Sequence, residues 1–371
     1  MGRNPEELRR RFPGKICCGY DGIPSHARDF DLLVHLAVVN NSTNCAVDAF
    51  REVNVHFLLD TVARAAEASI GTFVNVSSIH ALDPRNLTPY AASKREAVEA
   101  LRSITGVKTI YLPAIRANGW TGNLSPLNYL PPRLAGCLFE FLGAFKPTVD
   151  VSTFSEYILS DDIANDDSVI LTKGQRNNWI YQFIKRFMDL TFAFIVAILF
   201  CWLLAIIWIS VKLESRGPGI FSQERVGKDG RIFTCYKFRT MNNATVETPT
   251  HHVPLSAVTR MGRLLRRTKL DELPQVWNIL RNEMSLVGPR PSLPLQQELV
   301  AARRRRGVLE LKPGITGLAQ INSIDMSEPE TLARWDARYR SLQSLKLDMQ
   351  ILIQTAGGAG SGDRIRIPPL P

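Results

Sequence analysis

Hydrophobic and polar positions divide this chain into two unlike halves. Residues 190–211, LTFAFIVAILFCWLLAIIWISV, run for 22 positions without a charge, whereas residues 29–99 alternate short apolar runs with longer amphipathic ones. In the first half DLLVHLA (31–37) and TFVNVSS (72–78) have the brevity and β-branched content of strands. AFREVNVHFLLDTVARAAE (49–67) and PYAASKREAVEALRSI (89–104) have helical spacing. Strand and helix in alternation predict an α/β domain, a parallel sheet covered by helices. TIYLPA (109–114) reads as a further strand, NLSPLNYLPP (123–132) as a loop, DDIANDD (161–167) as an acidic turn, and TKGQRNNW (172–179) as the connection to the apolar run.

As a helix, the uncharged run would reach ~33 Å, enough to cross a bilayer core of about 30 Å. Both flanks are basic, with Lys185 and Arg186 before it and Lys212, Arg216, Arg225 and Lys228 after it. Positive charge on both sides sets no orientation, which suits a hairpin that dips into the membrane and returns to the same face. A spanning helix is the alternative. The pattern therefore predicts an α/β domain over 1–172, a linker over 173–184, a membrane helix over 185–212, a mostly α domain with small β elements over 213–356, and a disordered Gly- and Pro-rich tail over 357–371.

Charge sharpens this division. Lys and Arg less Asp and Glu come to 18 − 19 = −1 for residues 1–180 and 27 − 16 = +11 for residues 181–371. A positive second half suits anionic lipid or phosphorylated substrates; nucleic acid is disfavoured because no recognisable motif for it is present. The six cysteines (17, 18, 45, 137, 201, 235) form no CxxC or Cys/His cluster, as expected of a reducing compartment. MGRNPEELRRRFPG lacks an apolar leader and the Ser or Thr of a myristoylation pattern, so neither is expected.

Candidate chemistry concentrates in LDELPQVWNILRNEMSLVGPRP (270–291). Asp271 and Glu272 are adjacent carboxylates, Arg266, Arg267 and Lys269 lie just upstream, and Arg290 stands between two prolines. Cations to hold phosphate oxygens beside carboxylates for a metal or a nucleophile suit phosphoryl transfer. Thr268-Lys-Leu-Asp271 also fits a simple helix capping box. In YKFRTM, Lys237 and Arg239 are two apart and would share one face of a strand, where they could grip a phosphate or decorate an edge. Gln275, Asn278 and Gln320 are of interest only through proximity. Arg303, Arg304, Arg305 and Arg306 read as a solvated helical face, with anionic headgroups as the functional alternative.

FSQERVGKDGRIFTCYKFRTM (221–241), the Asp-Glu segment, LKPGITGLAQIN (311–322), Trp335, Asp336, Tyr339 and LKLDMQILIQT (345–355), in that order behind the apolar run, resemble the small monotopic phosphoglycosyl transferases, bacterial enzymes that prime glycan assembly on polyprenol phosphate. The resemblance covers residues 182–356. It implies that Asp271 attacks a UDP-sugar to form a phosphosugar-aspartyl intermediate, that Glu272 binds Mg²⁺, and that Lys237, Arg239, Arg266 and Arg290 contact phosphate. It also implies polyprenyl phosphate as acceptor, anionic lipid and downstream glycosyltransferases as partners, and a catalytic domain on the cytoplasmic face of the bacterial inner membrane. One departure stands out: the family breaks its membrane helix at Ser-Pro, and this chain has Cys201-Trp202. Without proline the backbone bonding could run straight through.

In the first half, HLA (35–37), EVN (52–54), NVSS (75–78) and Tyr90-Ala-Ala-Ser-Lys94 resemble the extended short-chain dehydrogenases, the sugar-nucleotide epimerases and dehydratases. The resemblance implies a Rossmann-like fold in which Tyr90 and Lys94 hold a nicotinamide cofactor. The first strand and its glycine-rich turn are missing, and Ser77 and Ser78 stand only 13 and 12 residues before Tyr90. NAD is therefore disfavoured and the domain reads as degenerate. A bifunctional epimerase-transferase and a non-catalytic membrane scaffold for glycan assembly are the rival readings.

Overall fold

The computed structural model describes all residues except 1–4, 12, 15–16, 29, 40–45, 117–121, 161–162, 164–166, 242–257 and 360–371. Most of the acidic stretch 161–167 and nearly all of the tail therefore lie outside the described residues. The chain divides into two compact units, one of Met1–Leu138 with Pro147–Lys173 and one of Phe139–Lys146 with Gly174–Pro371.

The first unit is α/β. Strands β1 (Leu32–His35), β2 (Thr72–Ser78), β3 (Val107–Leu112) and β6 (Ser168–Ile170) form a parallel sheet in the order β1-β2-β3-β6, and β4 (Ala114–Arg116) pairs with β5 (Thr148–Asp150). Residues alternate across the sheet, so Leu33, Phe73 and Val107 meet the helices Phe57–Glu67 and Pro89–Leu101 through Leu58, Val62, Ala97 and Leu101. Val74, Ile110 and Leu112 line the opposite face with Val149, Phe154 and Ile158. Burial on both faces explains why the strands read as nearly continuous apolar runs. The expected loop at 123–132 instead begins as 3₁₀ turns, Gly122–Tyr129.

The second unit begins with two apolar helices. Asn178 caps the leading helix, Trp179–Phe194, by accepting from the Tyr181 amide at 3.1 Å. This helix passes through a π turn, Ile195–Leu199, and meets the trailing helix, Cys201–Glu214, at a 66° bend. Among the described residues no single helix is long and apolar enough to cross a membrane, and this bent pair satisfies the criterion only as a pair. The straight helix that a missing proline allows is thus not formed. The break falls at Phe200, behind the π turn, one of the few local features that kink a helix without proline.

Beyond the trailing helix, β7 (Ile220–Val226) and β8 (Ile232–Phe238) form an antiparallel hairpin, and β9 (Ser285–Val287) pairs in parallel with β10 (Gly314–Thr316). The core gathers Phe233 and Cys235 from β8, Leu286 and Val287 from β9, Val276 and Ile279 from a short helix, and Tyr339 and Ile351 from the last two helices. Ala193 and Val196 of the leading segment join that core. The trailing helix packs through Ile207 and Val211 on Phe238 and Leu265. Ile198, Leu199, Trp202 and Leu213 remain 58–83% exposed.

Candidate active site

The Asp-Glu pair sits on a 3₁₀ turn, Leu270–Gln275, directly beneath β8. Lys269 places it there. This residue ends the helix Arg260–Thr268 in the left-handed conformation (φ 58°), a state that costs a non-glycine residue about 1 kcal/mol, and it reverses the chain into the turn. Thr268 is therefore the last residue of one helix and not the cap of another; its hydroxyl donates to the Leu264 carbonyl at 2.9 Å.

Glu272 is the better paired carboxylate. Its Oε1 accepts from Lys237 Nζ at 2.7 Å and lies 3.4 Å from Arg290 Nη2, with only 12% of the side chain exposed. Burial opposes its charge, but Lys237 and Arg290 outweigh burial and hold the carboxyl at about 2. Asp271 behaves in the opposite way: burial and the neighbouring Glu272 charge push it up to about 6, against the pull of Lys237, Arg266 and Arg290. Two adjacent carboxylates thus differ sharply in proton affinity, as expected of groups with different tasks.

Arg266 reaches the site because its helix lies unusually close to the chain after β8. A Cβ at Gly262 would collide with the Thr240 carbonyl, and one turn later Arg266 Nε donates to Thr240 Oγ1 at 2.9 Å. Gly262→Ala is expected to force these backbones apart and cost about 1–3 kcal/mol in a urea denaturation series. A loss below about 0.5 kcal/mol, within the usual range for surface substitutions, would mean that the close approach carries no strain.

Arg290 projects from a loop whose backbone is bonded nearly throughout. The Gly288 amide donates to Thr316 O, Pro289 O accepts from the Gly314 amide, Pro291 O from Arg225, and Ser292 O from the Val226 amide. Arg303 Nη1 donates to Arg290 O at 2.9 Å while Arg303 Nη2 pairs with Asp336 at 2.7 Å, buried. The four-arginine run is thus divided. Arg303 faces inward and holds the loop, in contrast to a solvated face, and Arg305 and Arg306 pair with Glu330. The available signal was helical spacing, since Arg303 lies four residues after Leu299 on the buried stripe Leu299, Ala302, Arg303.

Arg239 is not brought to the dyad. β8 ends at Phe238, and the buried Arg239 guanidinium turns to the end of the trailing helix, donating to Val211 O, Ser215 O, Ser215 Oγ and Arg216 O. Its two terminal nitrogens are committed to these acceptors, so of the pair Lys237 and Arg239 only Lys237 reaches the dyad. Asn278 is also structural: its amide bridges the Thr234 carbonyl and the Tyr236 N–H of β8. Gln275 is buried, and Gln320 donates to Ile315 O.

In the first unit Tyr90 and Lys94 sit one turn apart on the helix Pro89–Leu101. Lys94 is buried with Nζ 3.4 Å from Val76 O, and burial lowers it to about 8. Burial raises Tyr90 despite a bond with Ser78. The neighbouring His35 Nε2, Asn75 amide and Ser77 hydroxyl have no protein partner.

Among the described residues no group of three or more His, Cys, Asp or Glu side chains could hold a metal. The two carboxylates of the dyad suit a hard ion of the magnesium kind, which takes one or two carboxylates and completes its shell with phosphate oxygens and water.

Comparison with known proteins locates the similarity in the second unit. Residues 180–360 match the family model described as bacterial sugar transferase. The galactosyl transferase CpsE of Streptococcus agalactiae serotype III is 34% identical over 202 residues, 51% of this chain and 44% of that protein. The UDP-glucose:undecaprenyl-phosphate glucose-1-phosphate transferase of Escherichia coli K12 is 37% identical over 187 residues, 47% and 40% of the two chains. The uncharacterized sugar transferase EpsL of Bacillus subtilis is 39% identical over 178 residues, 46% of this chain and 85% of EpsL. The chain thus spans less than half the length of the first two relatives. A solved structure of MoeE5 in complex with UDP-glucose and NAD aligns with 44% of this chain and 64% of its own at 16% identity and a TM-score of 0.34.

Proposed function

Since the chain belongs to the bacterial sugar transferase family, we propose that it transfers a sugar 1-phosphate from a UDP-sugar to undecaprenyl phosphate, the priming step of glycan assembly at a membrane. The observation that carries this reading is the divergence of the dyad: Glu272 held ionised by Lys237 and Arg290 beside an Asp271 whose charge is disfavoured. A carboxylate with raised proton affinity is a stronger nucleophile when ionised, and it gains most from bonding to an electrophilic phosphorus. In the first step an Asp271 oxygen bonds to the sugar-bearing phosphorus as the phosphorus–oxygen bond to UMP breaks. In the second, an oxygen of undecaprenyl phosphate bonds to that phosphorus and the Asp271 carboxylate leaves, giving undecaprenyl diphosphate sugar.

Both steps bring anions together, so the cations set the rate. Lys237, Arg266 and Arg290 converge on the dyad, and the bonded loop under Arg290 allows it to act without reorganising. Magnesium would be held by Glu272 with donor phosphate oxygens, and when bound it supplies charge neutralisation. The exposed apolar arms and their bend favour a re-entrant anchor in anionic lipid, with the site on the cytoplasmic face. We read the first unit as a dehydrogenase-like domain without turnover, because burial holds Tyr90 further from ionisation and places Lys94 on a backbone carbonyl. Downstream glycosyltransferases would take the product.

The test is UMP release by membrane fractions given a panel of UDP-sugars, Mg²⁺ and undecaprenyl phosphate. Release that requires the lipid phosphate is expected with one sugar or a few. No lipid-dependent release across the panel would overturn the reading.

A further inference from the structure

The leading helix has two contrasting faces. Trp179, Phe183 and Phe187, four residues apart, are 62–72% exposed, while Tyr181, Lys185 and Asp189 form the inward stripe. From composition, Lys185 and Arg186 are the basic flank of a membrane segment and belong in the headgroups. Folding turns them the other way. Lys185 Nζ donates to Val287 O at 3.0 Å and pairs with Asp348 at 2.8 Å. Arg186 donates to Ile279 O at 2.7 Å and to Leu280 O at 3.3 Å. Asp189 Oδ1 accepts from the Leu286 amide at 2.8 Å and from Ser285 Oγ at 3.1 Å.

Apart from Asp348 and Tyr339 on the last two helices, which Lys185 also reaches, the partners of these three residues lie in the two segments that meet at the dyad. Ile279 and Leu280 end the helix Val276–Leu280, which follows directly on the turn bearing Asp271 and Glu272. Ser285, Leu286 and Val287 are β9, and the loop carrying Arg290 starts at the next residue. We infer that Lys185, Arg186 and Asp189 are positioning residues, and that the leading membrane helix is part of the frame that fixes Arg290 against the Asp271–Glu272 turn. This rests on the transferase reading for its kinetic consequence, though not for its structural one. An aromatic stripe seated in lipid and an inward charged stripe bonded to both segments place the seating of the helix and the alignment of the site on one rigid element.

The experiment uses the full chain in lipid nanodiscs, with Arg186→Met, Arg186→Lys and the double variant Lys185→Met/Asp348→Asn, which removes both charges of that pair and leaves Asp189 its bonds to Leu286 and Ser285. Hydrogen exchange of residues 270–280 and 285–292 is read alongside kcat and KM for both substrates. Arg186→Met and the double variant are expected to speed exchange in those two segments about tenfold, on the scale of a lost charged hydrogen bond, while the other segments exchange as in the wild type. Both are expected to lower kcat roughly 10- to 100-fold with KM changed less than about twofold, the signature of misalignment, and Arg186→Lys to recover most of it. Unchanged exchange in both segments would overturn the inference, as would equal loss of protection throughout the unit, which marks general unfolding. If the wild type releases no UMP, the transferase reading fails on its own, and the exchange result still decides the framing role.

Discussion

Asp271→Asn is expected to abolish UMP release and, at the same time, to make the protein more stable at neutral pH. Asp271 is raised to about 6, so its charged form is disfavoured in the folded state relative to the unfolded chain. A carboxyl raised in this way stabilises the fold fully only below the ordinary carboxylate range and loses that contribution as pH rises through about 6. The loss is on the order of 3 kcal/mol at pH 7 before screening, and partial solvent access reduces it. Asparagine keeps the shape without the charge. The variant's thermal midpoint should exceed that of the wild type at pH 7.5, and the gap should close below about pH 4, within the usual carboxylate range. Wild-type turnover should fall with acidity through about pH 6, where the nucleophile takes up its proton. Residual release above roughly 1% of wild type, beyond what loss of a covalent nucleophile leaves, would remove Asp271 from its role.

Glu272→Gln should lose both activity and stability. Its carboxyl is held at about 2, so it contributes stability above the ordinary carboxylate range, and this is lost as pH falls through about 2. Glutamine removes the carboxylate charge closest to Lys237 and Arg290, 22% and 28% exposed, and leaves Asp271 as the remaining carboxylate of the dyad. The expected cost is about 3 kcal/mol at pH 7, narrowing as pH falls below about 4. Turnover should drop at least 100-fold or so, because the neutral amide offers magnesium a poorer ligand and no longer pairs with the Arg290 clamp. Saturating Mg²⁺ should not restore it. A variant as stable as the wild type at pH 7 would mean that the two cations find other partners and that Glu272 does not organise them.

These predictions use residues whose importance is visible from composition and order alone. The adjacency of Asp271 and Glu272 is a covalent fact, Arg266 stands only five residues upstream in the chain, and the prolines around Arg290 restrict its backbone locally. Lys237 lies on a strand long enough to be read from its own pattern. Arg239, two residues on, looked equivalent, but the strand stops before it. An arginine beyond a strand end goes wherever its donors find acceptors, and here these are the last carbonyls of the trailing helix.

By itself, then, the sequence determined the α/β first unit, the uncharged segment, the dyad and the family of the second unit, because each is written in neighbouring residues or in a local period. Only the tertiary structure decided which cations lie beside the dyad and where the apolar segment bends. Lys185 meets a carbonyl 102 positions away and Arg303 a carboxylate 33 away. A buried cation takes as its partner the acceptor that folding brings nearest, and no local pattern encodes that choice. The 66° bend likewise has no proline to announce it; it follows a π turn, and Val196 within that turn and Ala193 just before it are seated in the core of the second unit.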